Sequence, residues 1–385
     1  MVIKSFVKRI SRYFLMFLFS KTRQSSLPKS IFFSSFSGKQ YSDSPKAISE
    51  KIHALCPDVE IIWSVFPSVD QYLPSYIRIV RPGTIEAIRK QARANVWVFN
   101  NILQHGTYKD KKTLYIQTWH GERGFKRIGA DAKSQMGKKY NKYKEFVEPK
   151  ICNFFVTASS FGRNLYGSAF GFHGEFFDVG IPRNDCLVNI SQLGSKVCEI
   201  RQTLCIPAST RVMMYAPTYR DHQRGKLYSK VDLCSVLDIL NEKEEKWICL
   251  LRAHSLSAGI EVANSDDRFI DVTSYMDMAD LLMITDLLIT DYSSSAQDFL
   301  LTRKPVVLTQ FDIEEYSNGS RSLYYDPMET GFLIAHTNEE LMRIISSIDT
   351  IDHSILNKEI MDYYGMHETG NGTMAVCNRI IEWIK

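Results

Sequence analysis

The sequence predicts an α/β protein in which two doubly wound, Rossmann-like domains face a cleft, preceded by an N-terminal amphipathic helix. Three observations support this fold class. The chain has 385 residues, more than twice a typical domain of about 150 residues. Short apolar runs alternate with helical patterns in both halves, which is typical of parallel sheets covered by helices. A polar stretch near residues 184–195 separates the two halves.

The elements alternate in the same way in both halves. Strands are predicted at 31–33, 60–66, 77–80, 96–99, 114–117 and 153–157, and then at 212–216, 247–251, 269–272, 287–290 and 306–309. Helices are predicted between them at 45–55, 83–92, 233–240, 276–284, 294–301 and 338–348. We therefore predict domains at 26–190 and 191–385. The last helix, 374–385, can pack on either domain.

Composition and charge argue against an integral membrane protein and a disulfide-rich protein, and they indicate an anionic partner. No stretch reaches the ~18 apolar residues of a membrane-spanning helix. The eight cysteines show no C-x-x-C and no paired spacing, so we expect neither a zinc site nor disulfides, but reduced thiols in the cytosol. Residues 109–150 hold twelve Lys/Arg against five Asp/Glu. Such a block indicates an anionic partner, namely a membrane surface, a phosphate substrate or nucleic acid.

Residues 1–25 are predicted to form a basic amphipathic helix that associates with a membrane. Residues 1–23 contain six basic residues and no acidic one. Apolar side chains such as Phe14 and Phe17 recur with a helical period, while Lys4, Lys8 and Arg12 recur on the other side. This pattern is typical of a helix in a bilayer interface. The alternative is a helix packed on the protein's own core.

The carboxyl ends of strands in such domains bind ligands, and four of them carry candidate residues. After strand 114–117 comes His120, whose type of side chain suits a general base near neutral pH. Gly121 allows a substrate close to the backbone, and Lys126 and Arg127 can attract a phosphate. The alternative is a loop histidine that only bonds to backbone.

The next two candidate loops follow strands 212–216 and 247–251 and contain residues that can bind phosphate. Thr218 and Arg220 can donate to phosphate, although a proline-set turn explains that segment equally well. Arg252 can clamp an anionic group, with His254 on the same strand face. An internal salt bridge is the alternative for Arg252.

The fourth loop gives the strongest signal. Asp291 and then Ser293, Ser294 and Ser295 lie between an apolar strand and the following helix. Hydroxyls and unpaired amides at a helix N-terminus bind phosphate, and three serines exceed what capping one helix requires. Neither a P-loop nor a G-x-G-x-x-G fingerprint follows a strand, so those nucleotide sites are not indicated. No carboxylate cluster indicates a metal site.

Five segments resemble the CDP-glycerol glycerophosphotransferases, the family of teichoic-acid primases and polymerases with relatives that build phosphate-linked capsules. They are TWHGERGFKRIG (118–129), VGIPRND (179–185), YAPTYRD (215–221), RAHS (252–255) and the long block 271–307. The resemblance spans roughly residues 95–350. It implies the glycosyltransferase-B architecture and docking on the inner face of the cell membrane.

The resemblance also implies roles for single residues. His120 matches the family's catalytic base, and His254 its second histidine, which contacts the donor pyrophosphate. Ser293 to Ser295 match the phosphate-binding turn. Arg321 lies in the family's downstream arginine-aromatic segment.

Two positions beside these motifs depart from the family pattern. Glu122-Arg123-Gly124-Phe125-Lys126 stands after the WHG motif, where the family often has Pro-Leu-Lys. Ser255 stands where proline usually follows the second histidine. Both departures concern the identity of the donor or the acceptor.

The predicted function is transfer of glycerol phosphate, or a related polyol phosphate, from a CDP-linked donor to a hydroxyl of a lipid-linked or polymeric acceptor, with release of CMP. His120 takes the hydroxyl proton while Arg252, His254 and the serine turn stabilise the pyrophosphate. The expected location is peripheral, on the cytoplasmic face of the membrane.

No tightly bound cofactor is expected, although a pyrophosphate can recruit Mg²⁺. The alternatives are a sugar-nucleotide glycosyltransferase of the same fold and a non-catalytic module that binds anionic polymer. Nucleic-acid binding through the Lys/Tyr-rich segment 138–144 is disfavoured, because the rest of the chain is acidic and no nucleic-acid fold signature occurs.

Overall fold

The computed structural model describes residues 2–23, 28–132, 147–218, 230–242, 245–252, 266–319 and 322–385. The predicted site residues Arg220, His254 and Arg321 lie outside these ranges. The described strands form two sheets, and every strand pairing in them is parallel. The predicted α/β fold class is therefore confirmed.

The first sheet has seven strands in the order β3-β2-β1-β4-β5-β6-β7, and the second has six in the order β10-β9-β8-β11-β12-β13. The strands are β1 (Ser30–Ser34), β2 (Glu60–Ser64), β3 (Arg78–Val80), β4 (Val96–Phe99), β5 (Leu114–Gln117), β6 (Phe154–Thr157), β7 (Glu175–Asp178), β8 (Arg211–Ala216), β9 (Trp247–Leu251), β10 (Phe269–Asp271), β11 (Leu287–Thr290), β12 (Val306–Thr309) and β13 (Leu333–Ala335). Both orders reverse direction once, between β1 and β4 and between β8 and β11. Ligands of such sheets bind beside the reversal.

Every strand predicted from the sequence is present, with small shifts at the ends. Most interior strands are buried along their whole length, as expected for parallel strands covered on both faces. The sequence analysis missed β7 and β13, which are both edge strands. No side chain of β7 is fully buried, and β13 has three residues. β7 has charged residues at both ends, and the apolar run of β13 is only Leu-Ile-Ala, so neither was predicted from its own residues.

The helices cover both sheets. They are α1 (Val2–Lys21), α2 (Asp43–Leu55), α3 (Ile85–Arg93), α4 (Glu148–Ile151), α5 (Ser160–Phe170), α6 (Asp185–Val188), α7 (Gly194–Thr203), α8 (Leu233–Asn241), α9 (Met278–Ile284), α10 (Ser295–Phe299), α11 (Ile313–Gly319), α12 (Asn338–Ser346), α13 (His353–Tyr363) and α14 (Gly372–Ile384). Local signals set several ends: the Thr84 side chain caps α3, and Gly171 ends α5 in the left-handed conformation.

The chain divides into two compact units, each containing one sheet. Unit 1 comprises Met1–Glu122, Lys138–Asp185 and His367–Lys385, and unit 2 comprises Arg123–Gly137 and Cys186–Met366. The two units therefore differ from the predicted continuous domains in two segments: residues 123–137 belong to unit 2, and residues 367–385 belong to unit 1. The segment after Arg123 belongs to unit 2 because the Lys126 backbone pairs with Leu323. Helix α14 belongs to unit 1, where Val376 and Ile380 pack into the core of the first sheet.

Helix α1 packs on unit 1 through one side. Met16 is fully buried in a cluster that includes Phe32 and Trp97. Arg12, which the sequence pattern placed on the solvated basic side, instead lies against the protein and donates Nη2 to Gln91 Oε1 at 3.0 Å. That part of the prediction is wrong because the guanidinium at the end of the long side chain reaches the side-chain amide of Gln91 on α3.

The opposite side of α1 carries an apolar stripe that the described chain covers only in part, through the Tyr108 ring, which packs edge-on against Tyr13 and Phe17. Its side chains are between 37% and 57% exposed and comprise Val7, Ile10, Tyr13, Phe14, Phe17 and Leu18. Among the helices described, α1 included, none has both the length and the hydropathy that crossing a bilayer requires.

Candidate active site

The turn after β5 carries His120 to the carboxyl edge of the first sheet. Trp119, directly before it, has a positive φ of 49°, which is uncommon for a residue with a side chain. Two hydrogen bonds fix the turn: Trp119 N donates to Gln117 Oε1 at 2.9 Å, and Thr118 N donates to Phe99 O at 2.9 Å. The surrounding structure thus stabilises a strained backbone, as is frequent at functional sites.

A buried polar chain beneath this turn holds Gln117. Gln117 Nε2 donates to Tyr115 Oη at 2.9 Å, and Tyr115 Oη lies 3.4 Å from Glu148 Oε1. The same carboxyl oxygen accepts from Leu103 N at 2.6 Å. Burial raises the pKa of Glu148 to about 7. Sequence reasoning missed this network, because Tyr115 and Gln117 on β5 meet Glu148 on a short helix about thirty residues further along the chain.

The hydrogen bonding of His120 identifies its basic nitrogen. Nδ1 lies 2.5 Å from Asn100 O, and because a carbonyl only accepts, Nδ1 donates and Nε2 keeps its lone pair. The ring packs against Trp119 and Phe36, with centroids 4.2 and 5.1 Å away. Burial lowers the pKa of His120. The arrangement is therefore a neutral imidazole of fixed tautomer, which is what a general base requires.

We expect the acid limb of the pH dependence of kcat/KM to lie below the ordinary histidine pKa of about 6.5. Because burial lowers the pKa of His120, the ring stays neutral where an ordinary histidine is protonated. On further acidification the base is lost, and the rate falls about tenfold per pH unit. A profile measured between about pH 4.5 and 8 checks this, and an acid limb above about 6.5 would contradict the assignment.

Glu122 and Gly121 complete the histidine turn in unit 1. Gly121 is partly exposed, whereas Glu122 is buried and accepts a hydrogen bond from Ser159 Oγ at 2.9 Å. A Cβ added to Gly162 would come within 2.5 Å of Glu122 Oε2, so only glycine fits beside the carboxylate. Glu122 is thus a buried anchor of the turn. Sequence reasoning missed it because isolated acidic residues are usually exposed.

The next residue, Arg123, is an equally buried anchor in unit 2. Its side chain is 1% exposed and donates Nη2 to Asp298 Oδ1 at 3.1 Å. Its carbonyl accepts from Tyr325 Oη at 2.9 Å. Asp298 lies in α10, the helix that follows the serine turn. Glu122 and Arg123, which follow the WHG motif, are therefore both buried and paired, each within its own unit.

Lys126 and Arg127 also lie in unit 2, on the segment that pairs with residues 322–325. Lys126 Nζ lies 5.1 Å from the centre of the Tyr316 ring. Arg127 donates Nε to Leu323 O at 3.0 Å, and its guanidinium lies 5.3 Å from the centre of the Tyr324 ring. Both basic residues are partly exposed.

The second candidate site lies where the strand order reverses in unit 2. Strands β8 and β11 are neighbours, and Asp291 Oδ1 accepts from Thr218 N at 2.8 Å, which joins their two loops. Ser295 Oγ donates to Ser293 Oγ at 2.9 Å. Ser294 occupies the N-cap position of α10 but makes no side-chain cap bond. Helix capping therefore does not account for its hydroxyl.

Arg252 follows β9, the other neighbour of β8. Its Nη1 donates to Val272 O at 2.7 Å and to Thr273 O at 2.5 Å. Two backbone carbonyls thus hold Arg252, and among the residues that the structure describes no carboxylate forms the salt bridge considered as an alternative. Within the described ranges, no three His, Cys, Asp or Glu side chains are grouped as metal ligands.

Comparison with known proteins shows a match along nearly the whole chain. A family model described as CDP-glycerol:poly(glycerophosphate) glycerophosphotransferase matches residues 16–382. A teichoic acid poly(glycerol phosphate) polymerase of Bacillus subtilis is 30% identical over 92% of this chain and 49% of its own length. The polymerase of Staphylococcus epidermidis is 34% identical over 78% of this chain and 43% of its own length. The chain thus spans about half the length of these polymerases.

Two further matches cover nearly the whole of both chains. A teichoic acid glycerol-phosphate transferase of Staphylococcus aureus is 28% identical over 99% of this chain and 100% of its own. The wall teichoic acid polymerase TagF, in a variant structure soaked with CDPG, superimposes with a TM-score of 0.85 at 28% identity, covering 99% of this chain and 97% of that one. A second TagF structure gives a TM-score of 0.84.

Proposed function

The chain belongs to the CDP-glycerol:poly(glycerophosphate) glycerophosphotransferase family, and from that premise we propose that it transfers glycerol phosphate from CDP-glycerol to a hydroxyl of a teichoic-acid acceptor. The observation that carries the proposal is the geometry of His120. Its Nδ1 is bound to Asn100 O, its pKa is lowered by burial, and it follows a parallel strand of the first sheet. Such a group can accept a proton at neutral pH.

The proposed reaction is an in-line phosphoryl transfer. His120 Nε2 accepts the proton of the acceptor hydroxyl as its oxygen attacks the β-phosphorus of the donor. The bond from that phosphorus to the bridging oxygen breaks, and CMP leaves with the electron pair. Positioning and charge stabilisation are the main requirements of such a transfer.

We propose that the donor phosphates bind where the strand order of the second sheet reverses, between β8 and β11. The Thr218 and Ser293–Ser295 loops supply hydroxyls and backbone amides there, with Asp291 joining the loops. Arg252 is bound by carbonyls through Nη1, and its other N–H groups are proposed to meet the donor. Following the resemblance, Arg220, His254 and Arg321 join the donor site, and Lys126 and Arg127 attract the acceptor. Mg²⁺ enters the proposal only as a counterion of the pyrophosphate.

The test is a donor panel. CMP release from CDP-glycerol should exceed turnover of CDP-ribitol and of UDP- and GDP-sugars by at least about tenfold, because a site that hydrogen-bonds one polyol rejects donors that leave its polar groups unpaired. Preference for a nucleotide sugar would favour the glycosyltransferase alternative. Binding of anionic polymer without any turnover would favour the non-catalytic module.

We further propose that α1 holds the protein on the inner membrane surface. The apolar stripe on α1 includes Phe14 and Leu18, and the side chain of Lys8 beside it is exposed. Apolar side chains can enter the acyl boundary while basic residues attract anionic lipid. The helix also packs on unit 1 through Met16, so point substitutions test its role more cleanly than deletion.

Phe14→Ser combined with Leu18→Ser should weaken binding to anionic vesicles by at least about tenfold, since burying each such side chain stabilises binding by about 1.5–3 kcal/mol. Transfer to a short soluble acceptor should be unchanged. Ile355→Ser is the matched control, because Ile355 is an exposed apolar residue of α13. Equal co-sedimentation of the double variant and the wild type would exclude the stripe as the anchor.

A further inference from the structure

A groove in unit 1 lies between α1, α3 and the carboxyl edge of the first sheet. It holds about 530 Å³ of space, much of which is open to solvent. Ser34 and Ser64, at the ends of β1 and β2, line it together with Asn101, which follows β4. The groove therefore lies where the strand order of this sheet reverses, between β1 and β4.

Two side chains in this α1–α3 groove have hydrogen-bond donors without a partner. Gln91 is 4% exposed, and within the described residues its Nε2 and Arg12 Nε are buried without an acceptor. Arg12 makes a hydrogen bond to Gln91 Oε1, and no described carboxylate forms an ion pair with it. Burial lowers its pKa. Leaving such donors unsatisfied is costly, so an acceptor-rich anion is the ligand that fits them.

The wall of the groove also supports His120. Asn101 Oδ1 accepts from Ser37 N at 3.0 Å, and Asn101 Nδ2 donates to Ser37 Oγ at 2.7 Å. The adjacent residues of these two turns, Phe36 and Asn100, contact the His120 ring and its Nδ1. The two turns that line the groove, at residues 36–37 and 100–101, therefore also contact the general base, His120.

We propose that the α1–α3 groove binds a phosphodiester of the acceptor chain, with Arg12 and Gln91 as its charged and neutral donors. The inference rests on the proposed function and extends it with an acceptor subsite. The hydroxyl groups of Ser34 and Ser64, which line the groove, suit the polyol on either side of the phosphate. Arg12 and the apolar stripe are both on α1. The helix proposed to bind the membrane would therefore also contact the polar part of a lipid-linked acceptor.

The test is calorimetric binding of a short soluble oligo(glycerol phosphate) to the full-length protein without donor. Arg12→Met and Gln91→Glu should each weaken binding by at least about tenfold, because each removes a donor or adds a repelling charge. Gln91→Glu also gives Arg12 a carboxylate partner, so that variant is expected to stay folded. Arg89→Met is the control, since Arg89 is exposed on α3 and does not line the groove. The KM for CDP-glycerol should be unchanged in all variants.

Binding and transfer, measured separately, distinguish a failure of the proposed acceptor subsite from a failure of the proposed function. Binding by the wild type without any transfer would overturn the proposed function and leave the subsite standing. Failure of the wild type to bind, or unchanged binding by both groove variants, would overturn the subsite even where transfer is normal. If Arg12→Met and Gln91→Glu lose affinity for anionic vesicles but keep oligomer binding, the groove holds a lipid headgroup and the acceptor assignment is wrong.

Discussion

Replacing His120 with alanine is expected to lower turnover at least about 100-fold, the size of effect that a general base contributes. The basic Nε2 would be lost, whereas the buried chain from Gln117 to Glu148 that holds the turn would remain. Turnover is measured as CMP release from CDP-glycerol with a saturating acceptor, and the fold by circular dichroism and the unfolding midpoint.

The matched control is His173→Ala. His173 is an exposed histidine of the same unit, in the loop between α5 and β7, and its loss should leave turnover unchanged. His120→Gln is a second variant that retains side-chain volume, and it should be as inactive as alanine. A folded His120 variant with near-normal CMP release would remove this residue from the mechanism.

Replacing Arg123 with alanine is expected to lower the free energy of unfolding by about 3–5 kcal/mol, since it leaves a buried carboxylate without its partner. The Arg123 side chain is 1% exposed and its partner Asp298 only 12%. Because Asp298 belongs to α10, next to the serine turn, the KM for CDP-glycerol should also rise. Chemical denaturation and steady-state kinetics measure the two effects.

Arg163→Ala provides the comparison for this loss. Arg163 pairs with Asp178 at 2.6 Å, but both side chains are much more exposed, so its removal should cost no more than about 1 kcal/mol. Arg123→Met combined with Asp298→Leu should recover most of the stability, because an apolar pair of similar volume needs no desolvation of charge. If Arg123→Ala were as mild as Arg163→Ala, the buried pair would not be the anchor described.

The fold was predictable because its signal is local. Interior strands such as β4 and β9 are continuous apolar runs, since a parallel sheet is covered on both faces. The edge strand β7 has polar ends and partly exposed side chains, so nothing in its own residues marked it. The segment after Arg123 joins unit 2 through pairing with Leu323, a contact far along the chain.

Site residues could be predicted where a chemically reactive or phosphate-binding residue directly follows the carboxyl end of a strand. His120 and the serines after β11 follow that rule, and Asp291 was identified as a residue near the site. Glu122 and Arg123 were not, because charged residues are usually exposed and their partners, Ser159 and Asp298, lie far away in sequence. The side of α1 that faces the protein was likewise misjudged at Arg12, whose partner lies on α3.

The central claim is that this chain moves glycerol phosphate from CDP-glycerol to an acceptor hydroxyl. Mass spectrometry of a lipid-linked acceptor, incubated with the full-length protein and CDP-glycerol, tests it most directly. The account predicts acceptor products heavier by whole glycerol-phosphate residues, one CMP released per residue added, and neither product with His120→Ala. An acceptor of unchanged mass, or one that gains a sugar from a nucleotide sugar instead, would contradict it.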